Sequence, residues 1–160
     1  MKTPIRPFVL GMLPISVGLL AFSWISAVTT VGGGNWGEFQ TFGYQGGIPH
    51  SPGFPLLTAS IYFGTHLLKF LEPAHAANVV NGSFAAVAGV LLFAAAWKLS
   101  GSWIAALLTT TVFATGYSVW EHAVQAEMMS VQAALVFGVV VALLRYDSHP
   151  SAWRLALVAF

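Results

Sequence analysis

One polar segment near the start of the sequence holds the side chains best suited to chemistry. Glu38 lies in the glycine-rich stretch Gly33–Phe39, and His50 lies in the glycine- and proline-rich stretch Gly47–Pro55. A carboxylate and an imidazole held together can activate a hydroxyl group, since each can accept its proton. The glycines around Glu38 allow a ligand to approach the backbone closely. We therefore predict that Glu38 is a functional residue and not merely a solvated one.

The rest of the chain is too apolar for a soluble domain. Hydrophobic residues make up 57% and charged residues 7% of its 160 residues, with a mean hydropathy of +0.77, whereas soluble domains carry about 25% charged residues. The sequence predicts an all-α, polytopic transmembrane helical bundle, because a helix satisfies its own backbone hydrogen bonds in lipid. The net charge of +1 indicates no nucleic-acid partner. The chain has no cysteine and no His-x-x-x-His spacing, so we predict no metal site.

Four or five apolar runs approach the roughly 20 residues that cross a bilayer. Basic residues precede the first run, and Pro14 within it is expected to kink the helix. The run exceeds the roughly 7–15 apolar residues of a signal peptide, so we expect an uncleaved helix; a signal peptide is the alternative. The last run stops at Phe160, which suggests a fragment of a longer protein. We expect one transmembrane domain over 1–160, with spans at about 8–31, 76–97, 103–120, 126–144 and from 153 onward.

A further apolar run, 54–71, is interrupted by His66 and Lys69. If this run does not cross the membrane, five of the six basic residues fall on one side; if it crosses, they divide evenly. The positive-inside rule favours the first arrangement. We therefore expect a juxtamembrane helix at 54–71 inside a long extracytoplasmic loop, 32–75, with a cytoplasmic N-terminus. The five basic residues that then share one side are Lys2, Arg6, Lys98, Arg145 and Arg154.

This topology places several polar groups at one face of the membrane. Glu121 and Glu127 would lie at the outer ends of two spans, with His50 and His122 at comparable depth. A simpler reading remains open for each group. Glutamates near helix ends are often solvated or stabilised by the helix dipole, and His50 could simply cap the turn before Pro52.

Five short motifs resemble, in order, a known family of membrane proteins. Members of that family read Gly-Asp-Ser-Gly-Glu in the first extracytoplasmic loop and then His-Pro-Pro-Gly-Tyr-Pro. This chain reads Gly34-Asn35-Trp36-Gly37-Glu38 and then His50-Ser51-Pro52-Gly53-Phe54-Pro55. Arg-Val-Asn is matched by Ala76-Ala77-Asn78, and the cytoplasmic turn by Lys98-Leu99-Ser100-Gly101. The family's Trp and Ala-Glu are matched by Trp120 and Ala126-Glu127.

The chain thus resembles the C-type glycosyltransferase superfamily, and within it the protein O-mannosyltransferase-like membrane family. The resemblance implies transfer of a sugar, with mannose suggested, from a polyprenyl-phosphate donor to a hydroxyl of a protein or glycan on the extracytoplasmic side. It implies no required cofactor. The membrane would be the plasma membrane of a bacterium or the endoplasmic reticulum of a eukaryote.

The resemblance also assigns roles to residues. It implies that Glu38, the remaining carboxylate of the first loop, is the general base on the acceptor hydroxyl. The residues expected to contact substrate are Asn35, His50, His75, Asn78, Trp120 and Glu127.

Two departures from the family pattern leave an alternative open. Asn35 stands where the family has Asp and cannot act as a base. Ala76 stands where the family has Arg, which removes a cation for the donor phosphate; His75 beside it is a weaker substitute. The chain could therefore be a non-catalytic membrane scaffold, or a glycosyltransferase remnant that binds lipid-linked sugar without transferring it.

Overall fold

The computed structural model describes the backbone of residues 5–159 and the side chains of residues 12, 14–153, 155 and 156. Within these residues the secondary structure consists of eight helices and contains no strand. The predicted all-α class is therefore confirmed. The helices are α1 Ile5–Ser26, α2 Gly34–Gln45, α3 Pro55–Leu67, α4 Pro73–Ser100, α5 Trp103–Thr115, α6 Tyr117–Ala123, α7 Met128–Ser148 and α8 Ala152–Ala159.

Helix α4 is the centre of the bundle and packs against α1, α2, α3, α5, α6 and α7. Its ends are defined by the sequence. Pro73 occupies its first turn, where a missing N–H costs no helical hydrogen bond. Gly101 ends it with φ 67°, a left-handed conformation that favours glycine.

Small residues bring α1 and α4 into close contact. A Cβ atom on Gly82 would lie 2.7 Å from Cβ of Ser23, and one on Gly89 would lie 2.5 Å from Cδ1 of Leu19. The Ser23 hydroxyl donates a hydrogen bond of 3.1 Å to the carbonyl of Gly82. Close backbone approach through small residues is the usual way in which membrane helices associate.

Two described helices, α4 and α7, are long and apolar enough to cross a membrane. The pair α5 and α6 passes the same test together but is bent by 64°, at Gly116, whose backbone is extended. In α1 the segment Pro14–Ser26 is apolar but shorter than a span. The described residues therefore contain two candidate spans, or three if the bent pair is one, and the predicted count of four or five is not confirmed.

The first helix ends earlier than the predicted span of 8–31. Its last residue is Ser26, and the chain then bonds to other parts of the bundle. The N–H of Val28 donates to the carbonyl of Val124 at 3.1 Å, and the carbonyl of Val28 accepts from the side chain of Asn78 at 2.7 Å. These bonds satisfy the backbone of Val28 outside a helix.

A helix that the sequence analysis did not predict, α2, occupies part of the expected loop 32–75. Gly37, Gln40 and Gly43 are buried at a spacing of three residues, together with Phe39. Two of these positions are glycines, so the buried face carries little apolar signal. A Cβ on Gly43 would lie 2.5 Å from Cγ2 of Ile61, which shows how closely α2 packs on α3.

Two buried clusters mark the opposite ends of the bundle. The first, which we call the upper cluster, consists of Phe39, Leu57, Ile61, Ala77, Ala126 and Val131. The second, the lower cluster, consists of Phe93, Trp97 and Ala106, with Met12 and Ile15 packed against it. Helix α4 runs from the upper to the lower cluster, since Ala77 belongs to one and Trp97 to the other.

Helix α3 stays at the upper end of the bundle. It has 13 residues, fewer than the roughly 20 that cross a bilayer. Its residues Leu57 and Ile61 both pack in the upper cluster. The position of this helix relative to a membrane stays a prediction.

The described charges are divided between the two ends. Helix α7 begins beside the upper cluster and packs along α4 in the same direction, with Gly138 near Leu91. Lys98 and Arg145, in the last turns of α4 and α7, therefore lie toward the lower end. The other three basic residues predicted to share this side are Lys2, Arg6 and Arg154. Lys2 and the side chains of Arg6 and Arg154 lie outside the described residues.

Candidate active site

Glu38 and His50 are joined by two short hydrogen bonds at the upper end. Oε2 of Glu38 lies 2.6 Å from Nδ1 of His50, and Oε1 accepts a hydrogen bond of 2.6 Å from the backbone N–H of His50. One carboxylate therefore holds both the ring and the backbone of the same residue. The side chains are 27% exposed for Glu38 and 39% exposed for His50, so solvent reaches the pair.

Two aromatic rings hold the imidazole in place. The ring centroid of His50 lies 5.6 Å from that of Phe39 and 5.5 Å from that of Phe54, which it meets edge to face. Phe39 and Phe54 themselves meet edge to face at 5.3 Å. Phe39 has no exposed surface and belongs to the upper cluster. The imidazole is thus attached to the buried core although one edge remains open to solvent.

The turn that follows His50 has an unusual backbone. Gly53 has φ 87° and Phe54 has φ 42°; a positive φ is costly for a bulky residue. Thr58 stabilises this turn, because its hydroxyl contacts the carbonyl oxygens of Gly53 at 3.0 Å and Phe54 at 3.1 Å. Strained backbone that is held by its surroundings is often found at functional sites.

The environment of Glu38 favours its ionised form. The pKa of its carboxyl group is lowered from the ordinary 4.5, first by the hydrogen bond with the His50 side chain and then by the backbone N–H of His50. Partial burial acts in the opposite direction and is outweighed. Glu38 is therefore a carboxylate at neutral pH, and it can only accept hydrogen bonds.

A buried amide network fixes α2 against the start of α4. Nε2 of Gln40 donates to Oδ1 of Asn78 at 3.0 Å, and Oε1 of Gln40 accepts from the N–H of Gly32 at 3.0 Å. Asn78 also donates to Val28. Gln40 is 3% exposed and Asn78 is 0% exposed. Because Asn78 lies beneath the surface with its amide bonded at both ends, its position supports the structure of the site and not direct contact with substrate.

Gly32 and Gly37 allow the segment before α2 to pack closely against the first turn of that helix. A Cβ on Gly37 would lie 2.0 Å from the carbonyl oxygen of Gly32, and a Cβ on Gly32 would overlap the indole of Trp36. A side chain at residue 37 would push the backbone of Gly32 away from the helix, whereas one at residue 32 would displace the indole of Trp36. Gly37 of the motif therefore permits close packing within the protein; the predicted role of the motif glycines was close approach of a ligand.

The remaining predicted residues at this end are dispersed. Asn35 is exposed in the first turn of α2. His75 is half-buried in the first turn of α4, with Nε2 3.4 Å from the carbonyl oxygen of Trp24. Ala76, which stands at the family's arginine position, has no exposed surface. The first turn of α4 therefore carries the imidazole of His75 but no arginine at residue 76.

Glu127 lies near the same cluster as Glu38. It is half-buried and precedes α7 as its N-cap residue, with no side-chain capping bond. Its neighbour Ala126 and Glu38's neighbour Phe39 both belong to the upper cluster. Glu38 and Glu127 are therefore each next in sequence to a residue of the upper cluster.

Trp120 is on the exposed side of the short helix α6. Its side chain is 39% exposed and its ring lies 6.3 Å from that of Tyr117. Phe22 and Ala123 border the shallow pocket beside it. Trp120 thus lies between α1 and α6 and makes no recorded contact with the Glu38–His50 pair.

One described cavity does not include Glu38 in its lining. It has a volume of about 130 Å³ and lies between the bent pair α5–α6 and α7; its lining includes His122, Ser118 and Ser130. Ligand pockets for small molecules usually enclose about 300–1,000 Å³, so this cavity is small for a sugar phosphate. Across residues 5–159 as described, no three His, Cys, Asp or Glu side chains are grouped so that they could hold a metal ion.

Sequence reasoning missed two polar residues that build the site. Gln40 is one, although its spacing from Gly37 and Gly43 is that of a helical face. Asn81 is the other: its Nδ2 donates to the carbonyls of His122, at 2.7 Å, and Gln125. Asn81 is 0% exposed and so ties α4 to the segment between α6 and α7. An amide inside an apolar run is the signal that could have identified it.

Comparison with known proteins agrees with the resemblance seen in the motifs. The sequence model of the family described as protein O-mannosyl-transferase TMEM260 N-terminal domain matches residues 36–160. Protein O-mannosyl-transferase TMEM260 of Mus musculus is 29% identical over 150 residues, which cover 93% of this chain and 21% of the mouse protein. The Dictyostelium discoideum protein of the same name is 24% identical over 109 residues, covering 67% of this chain and 13% of that protein.

The chain therefore spans about a fifth or less of the length of these relatives. No solved structure matches it. The matched residues 36–160 include Glu38, His50 and all helices from α3 to α8. Since the family model matches most of the chain, this protein belongs to the protein O-mannosyl-transferase TMEM260 N-terminal domain family.

Proposed function

We propose that this chain forms the acceptor-activating part of a membrane glycosyltransferase. The enzyme transfers a sugar, mannose by the relatives' names, from a polyprenyl-phosphate donor to a hydroxyl group of a protein. The observation that carries the proposal is the exposed Glu38–His50 pair, held on the buried upper cluster in a member of this family.

The reaction requires a proton acceptor beside the attacking oxygen. The acceptor hydroxyl forms a bond to C1 of the sugar, the bond from C1 to the phosphate oxygen breaks, and polyprenyl phosphate leaves with the bonding electrons. The hydroxyl proton passes to the Glu38–His50 pair. Such a site belongs at the membrane surface, since the donor's tail stays in lipid while its sugar and the acceptor are hydrated.

The other predicted substrate contacts occupy separate positions on the protein. Asn35 is exposed on the same helix as Glu38, and His75 offers an imidazole for the donor phosphate. Glu127 flanks the upper cluster from α7 and can accept a hydrogen bond from a sugar hydroxyl. Trp120 offers an aromatic face on which a sugar ring can stack. On this proposal the upper end is extracytoplasmic and the N-terminus is cytoplasmic.

Transfer can be tested in the full protein, with all the chain that its reading frame encodes, reconstituted in lipid vesicles. The probes are radiolabelled polyprenyl phosphate mannose and a peptide rich in serine and threonine. We expect transfer by the unchanged protein and loss of transfer in Glu38→Gln. Glu72→Gln is the matched control, because Glu72 is exposed before α4 and should retain transfer.

The test also separates the proposal from its alternative. Retention of polyprenyl phosphate mannose on the unchanged protein without any transfer would identify a remnant that only binds lipid-linked sugar. The absence of both binding and transfer would indicate a scaffold. Transfer that is unaffected by Glu38→Gln would remove Glu38 from the site.

A further inference from the structure

We infer that Nε2 of His50 is the atom that takes the proton from the acceptor hydroxyl, and that Glu38 is a positioning residue. The inference rests on the proposed function, because it names the proton acceptor of that reaction. It changes the expectation that Glu38 itself is the base.

The contacts of Glu38 determine where the proton of His50 lies. An ionised carboxylate has no proton to donate, so the 2.6 Å contact between Oε2 of Glu38 and Nδ1 of His50 requires a proton on Nδ1. In the neutral imidazole the second nitrogen, Nε2, then carries the free electron pair. The carboxylate thus selects the tautomer in which Nε2 can act as a base.

Both carboxylate oxygens of Glu38 are already engaged with His50. Oε2 contacts the ring, and Oε1 accepts from the backbone N–H at 2.6 Å. These bonds also lower the pKa of Glu38, which weakens it as a proton acceptor. Among the described residues Nε2 has no hydrogen-bond partner, and the His50 side chain is 39% exposed. Nε2 of His50 is therefore free to accept a hydrogen bond from the acceptor hydroxyl, whereas both oxygens of Glu38 already accept one.

The ring is held in one orientation from several directions. The ring centroids of Phe39 and Phe54 lie 5.6 and 5.5 Å from that of His50. Glu38 fixes both the ring and the backbone of His50. Gly53 donates to the carbonyl of His50 at 2.8 Å. A base held by a carboxylate at one nitrogen while the other faces the substrate is the arrangement used by hydrolytic triads. After transfer, the imidazolium is stabilised by the Glu38 carboxylate until its proton passes to water.

Charged neighbours do not compete for the imidazole. The elements packed around it are α2, the turn that follows His50, and α3. On these elements the contacts recorded for His50 come from Glu38, Phe39 and Phe54. The histidine of α3, His66, contacts Tyr62 and Tyr44 instead. His66 is therefore a matched control that shares the residue type but not the site.

The activity test uses the reconstituted full protein, polyprenyl phosphate mannose and the same peptide. We expect His50→Gln to lower kcat by roughly 10²–10⁴-fold, the usual contribution of a general base, although its amide can still donate to Glu38. We expect added imidazole to restore transfer to His50→Ala in proportion to the neutral imidazole present. His66→Ala should transfer normally and should not respond to imidazole.

A spectroscopic measurement tests the role of Glu38 independently of turnover. In protein labelled with ¹⁵N-histidine, the His50 signal is identified by its absence in His50→Ala. We expect the neutral ring to carry its proton on Nδ1 in the unchanged protein. In Glu38→Gln the proton should move to Nε2, because a glutamine amide can donate to Nδ1.

The outcomes are distinguishable from failure of the proposed function. If the unchanged protein transfers no mannose, the proposed function and this inference both fall. If it transfers mannose but His50→Gln retains full kcat, imidazole restores nothing, or His50 carries its proton on Nε2, the inference alone is overturned. Rescue of Glu38→Ala by formate, with His50→Gln unaffected, would return the role of base to Glu38.

Discussion

The side-chain amides of Gln40 and Asn78 meet at 3.0 Å inside the upper end of the bundle. Through this contact and the bond from Asn78 to Val28, the segment between α1 and α2 is attached to the central helix. Gln40, two residues after Glu38 on α2, thus helps to hold Glu38 in place, as the motif glycines do. Asn78, for which the resemblance implies substrate contact, is buried with its amide bonded to Gln40 and Val28.

The first prediction concerns this amide network. Asn78→Ala removes the 3.0 Å bond that the buried Gln40 amide donates to Asn78 and the 2.7 Å bond to the partly buried carbonyl of Val28; the loss of such bonds costs roughly 1–3 kcal/mol. We expect a lower free energy of unfolding, measured by thermal denaturation in detergent. Asn35→Ala removes the same amide from an exposed position and should change little. Equal effects of the two substitutions would contradict the structural role of Asn78.

The second prediction concerns the glycines before and within α2. Gly37→Ala brings its Cβ to 2.0 Å from the backbone oxygen of Gly32, and such overpacking typically costs about 1–3 kcal/mol. We expect a reduced melting temperature and weaker mannose transfer. Gly33→Ala is the control, since Gly33 has φ −94° and nothing within 4 Å of the added atom. A stable, active Gly37→Ala protein would show that this contact is absent.

The third prediction is a dependence of stability on pH. The pKa of Glu38 is lowered in the folded protein, so its contribution is present in full above the ordinary glutamate value of 4.5. It is lost as the pH falls below that value toward the lowered pKa, because the protonated carboxyl no longer favours the folded state. The melting temperature of the unchanged protein should therefore exceed that of Glu38→Gln at neutral pH, and the difference should shrink in acid.

Glu72→Gln provides the comparison for this pH dependence. Its melting temperature should follow that of the unchanged protein throughout the same range. If the difference between the unchanged protein and Glu38→Gln stays constant down to strongly acidic pH, ionisation of Glu38 does not contribute to folding.

The fourth prediction concerns the two ends of the bundle. The chain has no cysteine, so single cysteines can be introduced at Lys69 and at Lys98, both of which are exposed. Lys69 follows α3 at the upper end, and Lys98 is in the last turn of α4 at the lower end. A membrane-impermeant thiol reagent added to sealed vesicles should label one cysteine and reach the other only after the membrane is opened. Labelling of both from one side would show that α4 does not cross.

The general architecture of this protein is more predictable from its sequence than the local structure of the loop is. Long apolar runs identified α4 and α7 because a span must be both long and apolar, and that property is visible without any contact. Helix α2 was missed because its buried face is made of Gly37, Gln40 and Gly43. Those residues pack through backbone proximity and hydrogen bonds, which hydropathy does not measure.

By itself, the sequence determined that the chain is a helical membrane protein with a polar loop near its start, and it singled out Glu38 and His50 as the groups able to do chemistry. Their residue types and the composition around them sufficed for that. Only the tertiary structure decided that the two side chains meet at 2.6 Å, and that Asn78 is buried beneath them while Trp120 lies elsewhere. Twelve positions separate Glu38 from His50, and their contact depends on the packing of α2 and the strained turn at Phe54 on the upper cluster. Such long-range packing follows from the summed contacts of several helices, which no short motif contains.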